Sequence, residues 1–176
     1  MSSAGTAPTP ELNEKFLGKC IDPAGLHPLD IVYPEGLDSV NDGWTEVLFT
    51  MDSGARDTVI GVKVCPKVEK VDSRGSILGL KYEVANGQTI KNEGQKYFYG
   101  YTDEGMTVGV TAQVAAFNKP LMSVMRTCSA GNRVIFDDDG SYVENKSSGE
   151  KLLIRNDGNR YIFPLWVQAG FTGQGS

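Results

Sequence analysis

The chain has 176 residues, with 17 Lys and Arg against 22 Asp and Glu, and a formal net charge of −5. Hydrophobic residues make up 40% and charged residues 22%, a globular composition in a chain long enough to bury a core without disulfide staples. The acidic balance argues against general nucleic-acid binding, which needs a cationic face, and no apolar run approaches the roughly 18–20 residues of a membrane-spanning helix.

The first ten residues, Met1 to Pro10, lack the basic and apolar regions of a secretory signal, so the expected location is intracellular and cytoplasmic. The only histidine, His27, stands in Leu26-His27-Pro28, an extended stretch, and reads as a plain surface residue. Cys20, Cys65 and Cys128 are odd in number and far apart, with no zinc-ligand or redox-pair spacing. A reduced chain follows, and catalysis by zinc or by a Cys-His pair is improbable. Carboxylates are left as the candidate chemistry, with no cofactor.

Residues 1–43 read as a flexible leader or linker, polar and Pro-bearing, with an edge strand at Ile31-Val32-Tyr33. The folded body is expected over 44–167, with a tail over 168–176. Val47-Leu48-Phe49-Thr50-Met51 predicts a strand with both faces largely buried. Thr58 to Val64 predicts the next strand, and Asp72-Ser73-Arg74-Gly75 a loop. Leu78 to Ala85 alternates, and Asn86-Gly87 then signals a two-residue hairpin with return strands at Thr89-Ile90 and Gln95 to Tyr101. Met106 to Val114 alternates again. Leu121 to Ala130 holds the one predicted helix, with Gly131 as its stop. Short strands at Val134–Phe136, Ser141–Val143, Lys151–Ile154 and Arg160–Val167 complete an all-β chain, a small closed barrel or a sandwich.

Three minor signals receive structural readings. Asn145-Lys146-Ser147 fits a glycosylation sequon and reads as an ordinary turn. Tyr97-Phe98-Tyr99-Gly100-Tyr101 reads as a strand packed on the body, not a base-stacking platform. Asp137-Asp138-Asp139 reads as a solvated hairpin end, not a cation site.

The informative segment is Met51-Asp52-Ser53-Gly54-Ala55-Arg56-Asp57-Thr58-Val59-Ile60. A carboxylate stands where an apolar strand ends, followed by a hydroxyl, a glycine and a second apolar run. Such an acid needs hydrogen bonds to be tolerated, and Gly54 lets a backbone N–H approach it. Asp-Ser-Gly alone is weak, since chance supplies it in roughly one chain in twenty of this length. The flanking strands give it weight.

Asp52-Ser53-Gly54-Ala55 with Asp57-Thr58-Val59-Ile60 resembles the catalytic loop of retropepsins, the aspartic proteases of retroviruses and retrotransposons. Glu83-Val84-Ala85-Asn86-Gly87-Gln88-Thr89-Ile90 resembles their flap hairpin. Pro120-Leu121-Met122-Ser123-Val124, a helical turn, and Ala130 to Phe136 resemble their closing segment, in a form nearest the copia-type retrotransposon version. The resemblance implies a small closed β-barrel of the acid-protease type with one short helix. It implies a homodimer in which Asp52 of each copy is catalytic, supported by Ser53, Gly54, Ala55 and Thr58. Ala85, Asn86 and Gly87 form the flap, and Leu121, Met122 and Ser123 the closing segment. The substrate would be an extended peptide or the retroelement polyprotein that contains the chain. No metal, nucleic acid or membrane is implied.

The chain departs from the pattern in two places. Retroviral enzymes pair an Asp after Asp-Ser-Gly-Ala with an Arg in the closing segment, and Arg56 and Val124 stand there instead. Arg56 thus lacks its usual acid, with Asp57 or Asp139 the available substitutes. The family's closing glycine is replaced by Ser123. A non-catalytic peptide-binding or self-association module is the main alternative. An unrelated barrel would leave Asp52 exposed with no hairpin over it.

Overall fold

A computed structural model of the chain describes residues 26–27, 43–168 and 170. Among these, twelve strands and two short helices follow one another: β1 (Leu26–His27), β2 (Trp44–Asp52), β3 (Val59–Ile60), α1 (Arg74–Ile77), β4 (Lys81–Glu83), β5 (Thr89–Lys91), β6 (Gly94–Tyr101), β7 (Thr107–Val114), β8 (Leu121–Ser123), α2 (Val124–Ser129), β9 (Asn132–Ile135), β10 (Ser141–Asn145), β11 (Lys151–Asn156) and β12 (Tyr161–Gln168). The chain is mostly β, as expected. The edge strand expected at Ile31–Tyr33 lies outside the described residues, but Leu26–His27 pairs with β7 through Val110 and Gly109.

The main sheet runs β1-β7-β3-β8-β2-β12-β11-β10-β9, and β6 pairs with both β12 and β7. Strands β7, β3, β8, β2, β12 and β6 therefore form a closed ring of hydrogen-bonded neighbours. The contact of β6 with β12 is the Tyr101–Trp166 pair. Gly100 makes it feasible, because an added Cβ there would lie 2.4 Å from the Trp166 carbonyl oxygen. Strands β9, β10 and β11 extend the sheet beyond β12, and β4 with β5 forms a separate hairpin.

Several predicted elements differ in extent. Strand β2 buries Val47, Phe49 and Met51 and leaves Leu48 and Thr50 half-buried, so it alternates instead of burying both faces. Strand β7 does the reverse: only Gln113 of its eight residues is not buried, because neighbours cover both of its faces. The Thr58–Val64 run is a strand only at Val59–Ile60 and then turns, with Cys65 at φ 48°. The expected loop at Asp72–Gly75 contains a second helix. Ser73 caps α1 reciprocally with Ser76, each side chain accepting the other's backbone N–H. The helix expected from Leu121 is α2 alone, because residues 121–123 are claimed by β8.

The core is built from Phe49, Phe98, Phe163, Leu152, Leu165, Ile60, Met122 and the valines of β7. Lys96 is buried among them on β6. Its ammonium donates to the carbonyls of Val62 (2.9 Å), Val64 (3.1 Å) and Cys65 (3.1 Å), so all three of its donors are used. Burial lowers the Lys96 pKa and pushes the Cys65 thiol up to about 12. Among the minor signals, Asn145 is buried and its side-chain Oδ1 accepts the Ser147 and Ser148 N–H groups, as a turn requires. Tyr97 to Tyr101 lies in β6. No helix among the described residues is long and apolar enough to cross a membrane.

Two measurements check these assignments. Phe49→Ala, at a fully buried ring, should cost about 3–5 kcal/mol in denaturant unfolding. Glu104, in the β6–β7 turn, is raised above the ordinary carboxylate range, chiefly by burial, although its Oε2 accepts the Leu153 N–H. The folded chain therefore holds this proton to higher pH than the unfolded chain. Its stabilising contribution is complete below the unfolded pKa and is lost as pH rises through the raised value. Unfolding at pH 4 and pH 7 should show Glu104→Gln losing less stability, or gaining more, than wild type on going to the higher pH.

Candidate functional site

Asp52 is the last residue of β2, half-buried, one step past the inward-facing Met51. The chain turns there, and the Gly54 N–H donates to Asp52 Oδ1 at 2.8 Å. This fixes the carboxylate without a cationic partner. Gly54 does not have a left-handed φ. A Cβ on it would meet only Asp52 Oδ1, at 3.4 Å, an ordinary contact. Nothing among the described residues requires glycine there. Ser53 is exposed, and its hydroxyl has no hydrogen-bond partner among the described residues.

The closing segment lies directly beside this loop. Strand β8 runs parallel to β2 with Asp52 opposite Ser123, Met51 opposite Met122 and Thr50 opposite Leu121. Ser123 knits the two together. Its N–H donates to Thr58 Oγ1 (3.1 Å) and its hydroxyl donates to the Ala55 carbonyl (2.8 Å). The same hydroxyl accepts the Arg126 N–H and so caps α2. With φ −72° and ψ 119°, Ser123 needs none of the freedom of the glycine it stands for.

An ion pair ties the loop after β2 to α2. Arg126 donates to Asp57 Oδ1 from Nη2 (3.0 Å) and Nε (3.2 Å), and Nε also reaches the Arg56 carbonyl (3.2 Å). Asp57 therefore serves Arg126, not Arg56, and Asp139 lies in the exposed β9–β10 turn. Arg56 and Val124 take no part in this ion pair, which uses the residue after the first and the residue two beyond the second. The second oxygen of Asp57 accepts the Tyr82 hydroxyl of β4 at 2.8 Å. Burial, reinforced by this bond, raises the Tyr82 pKa.

Tyr82 also accepts from Asn92 Nδ2 (3.0 Å), just beyond β5. Buried Asn92 donates further to Gln113 Oε1 (2.9 Å), while its Oδ1 accepts from Ser73 Oγ (3.1 Å) and the Gly94 N–H (2.9 Å). One polar chain thus runs from α2 through the loop to both feet of the hairpin. Tyr82, Asn92 and Arg126 were not singled out in the sequence.

The hairpin turns through three residues, not two. Val84 and Gln88 close it by an N–H···O bond of 2.9 Å, leaving Ala85, Asn86 and Gly87 between them, with Gly87 at φ 85°. Only glycine adopts that backbone cheaply, and Asn86 Oδ1 accepts the Gln88 N–H. A cleft of about 420 Å³ separates hairpin from loop. Its walls include Asp52, Gly54 and Ala55 on one side, Tyr82, Val84 and Ala85 on the other, and Leu121 at the end. Asp52 is half-buried, and it shares the lining of this cleft with the hairpin.

Removing either donor to Asp57 should have graded effects. Arg126→Ala leaves a nearly buried carboxylate without its cation and should cost about 3 kcal/mol in denaturant unfolding. Tyr82→Phe removes one neutral donor and should cost about 1 kcal/mol. In the same Phe variant, amides of β4 and β5 should exchange faster with deuterated solvent while those of β12 are unchanged.

Comparison with protein-family models, with curated proteins and with solved structures returned no match for this chain.

Proposed function

We propose that the chain is an aspartic endopeptidase of the retropepsin type, built as a small closed barrel and active as a homodimer. The observation that carries this reading is the shared cleft: Asp52, held by the Gly54 N–H, lines it together with a hairpin whose feet are anchored. Two further features support it. Ser53 offers an unused hydroxyl beside Asp52, suited to a contact across a two-fold axis. Among the described residues nothing requires glycine at 54, which fits a position that a second copy or a substrate must approach closely.

In this reading Asp52 of each copy meets at the axis. Two carboxylates at close range do not both ionise readily, so the pair holds one proton. The charged member takes a proton from water, which attacks the peptide carbonyl carbon. The protonated member donates to the carbonyl oxygen. The tetrahedral species then collapses as a proton passes to the leaving nitrogen. The hairpin closes over the extended peptide, bonds to its backbone and excludes water. The natural substrate would be a polyprotein, in a retroelement setting. Metal and cofactor have no step in this scheme.

The test is cleavage of an extended-peptide library at mildly acidic pH by wild type and by Asp52→Asn, with and without a statine-type inhibitor. Wild type should cleave, with specific activity rising with protein concentration as dimers form. The inhibitor should block cleavage, and the substitution should lower kcat by about 10²–10⁴-fold or more. Peptide binding without cleavage would replace the enzyme by a non-catalytic peptide-binding module.

A further inference from the structure

A second groove, of about 370 Å³, adjoins the cleft and shares Arg56 and Asp57 with it. Its other walls include Arg74 of α1, Arg126 of α2, and Leu78 and Leu80. Three arginines and one aspartate therefore line one groove. Arg126 is committed to that carboxylate. Arg56 and Arg74 are exposed, and neither side chain forms an ion pair or hydrogen bond among the described residues.

This positive charge is local. The 17 basic and 22 acidic side chains divide as 2 and 7 before residue 43, and as 15 and 15 from residue 43 onward. The folded body is neutral in sum, whereas the lining of this groove carries three arginines and one aspartate. Concave walls focus such a field, and a guanidinium fork matches a carboxylate in shape as well as charge. Leu78 and Leu80 give the methylenes of an acidic side chain an apolar wall.

We propose that this groove is a specificity subsite for an aspartate or glutamate side chain of the bound peptide, read by Arg56 and Arg74. The proposal rests on the reading of the neighbouring cleft as a peptide site. An extended peptide lying across Asp52 and continuing past Ala55 reaches the groove a few residues from the cut bond. Arg126, fixed on Asp57, shapes the floor and is not the reader.

The test compares matched peptides with Glu or Gln at each position flanking the cut site. They are presented to the full chain and to its Arg74→Ala, Arg74→Lys and Arg56→Ala/Arg74→Ala variants. In wild type one position should favour Glu over Gln about tenfold in kcat/KM at low salt, the worth of one charge-assisted hydrogen bond. The ratio should shrink with added salt, fall in Arg74→Ala, approach one in the double variant, and recover in part in Arg74→Lys, which keeps the charge but not the fork. A ratio of one at every position, or one that the double variant leaves unchanged, overturns the proposal even where cleavage is robust. Absence of all cleavage would instead count against the protease reading. The groove is then judged by fluorescence anisotropy with the same peptides. Tighter Glu binding that the double variant abolishes sustains the subsite, and equal binding overturns it.

Discussion

One nearly buried carboxylate, Asp57, holds three separately formed pieces together. The loop after β2 carries it, α2 supplies Arg126, and β4 supplies Tyr82. A carboxylate in this position is tolerated only with donors on both oxygens, and each donor comes from a different part of the chain. The need to satisfy one charge thus sets where the helix ends up and where the hairpin is hinged. Asn92 carries the same constraint to the other foot of the hairpin and into β7 through Gln113. Among the described residues the side-chain bonds of the hairpin tip are local, between Asn86 and Gln88.

The parallel pairing of β2 with β8 is the second constraint. It sets Asp52 opposite Ser123, across a long stretch of intervening chain. Contacts of such separation are costly to form early, so the loop and its closing segment acquire their geometry late, after the intervening strands pair. Ser123 consolidates the arrangement with three bonds from one residue, to Thr58, Ala55 and Arg126. A glycine there would supply only the backbone part.

Local chemistry made much of this legible. The apolar run ending at Asp52, the Asn86-Gly87 turn and the Leu121–Ser123 strand each announce themselves through residues adjacent in sequence. What escaped depends on partners far away. The burial of both faces of β7 reflects neighbours that no periodicity within Met106–Val114 records. The Asp57–Arg126 pair joins residues 69 apart in sequence, and nothing local to either one records the other. Helix α1 is a single turn whose stability rests on the reciprocal Ser73–Ser76 cap, a signal as short as the element. Asn92 sits in a polar turn sequence, and nothing local distinguishes an exposed asparagine from one that uses all of its hydrogen-bonding capacity.

Lys96 has a different kind of consequence. With three carbonyls around one ammonium, it does for the turns after β3 what a bound cation does in other loops, but as part of the chain. The turns behind the Asp52 loop are thereby tied to the core without a dissociable ion. The same geometry shields the Lys96 nitrogen from acylating reagents, since the group is buried and all three of its hydrogens are engaged. A reagent reaches it only when this part of the molecule opens, so its acylation would time that opening.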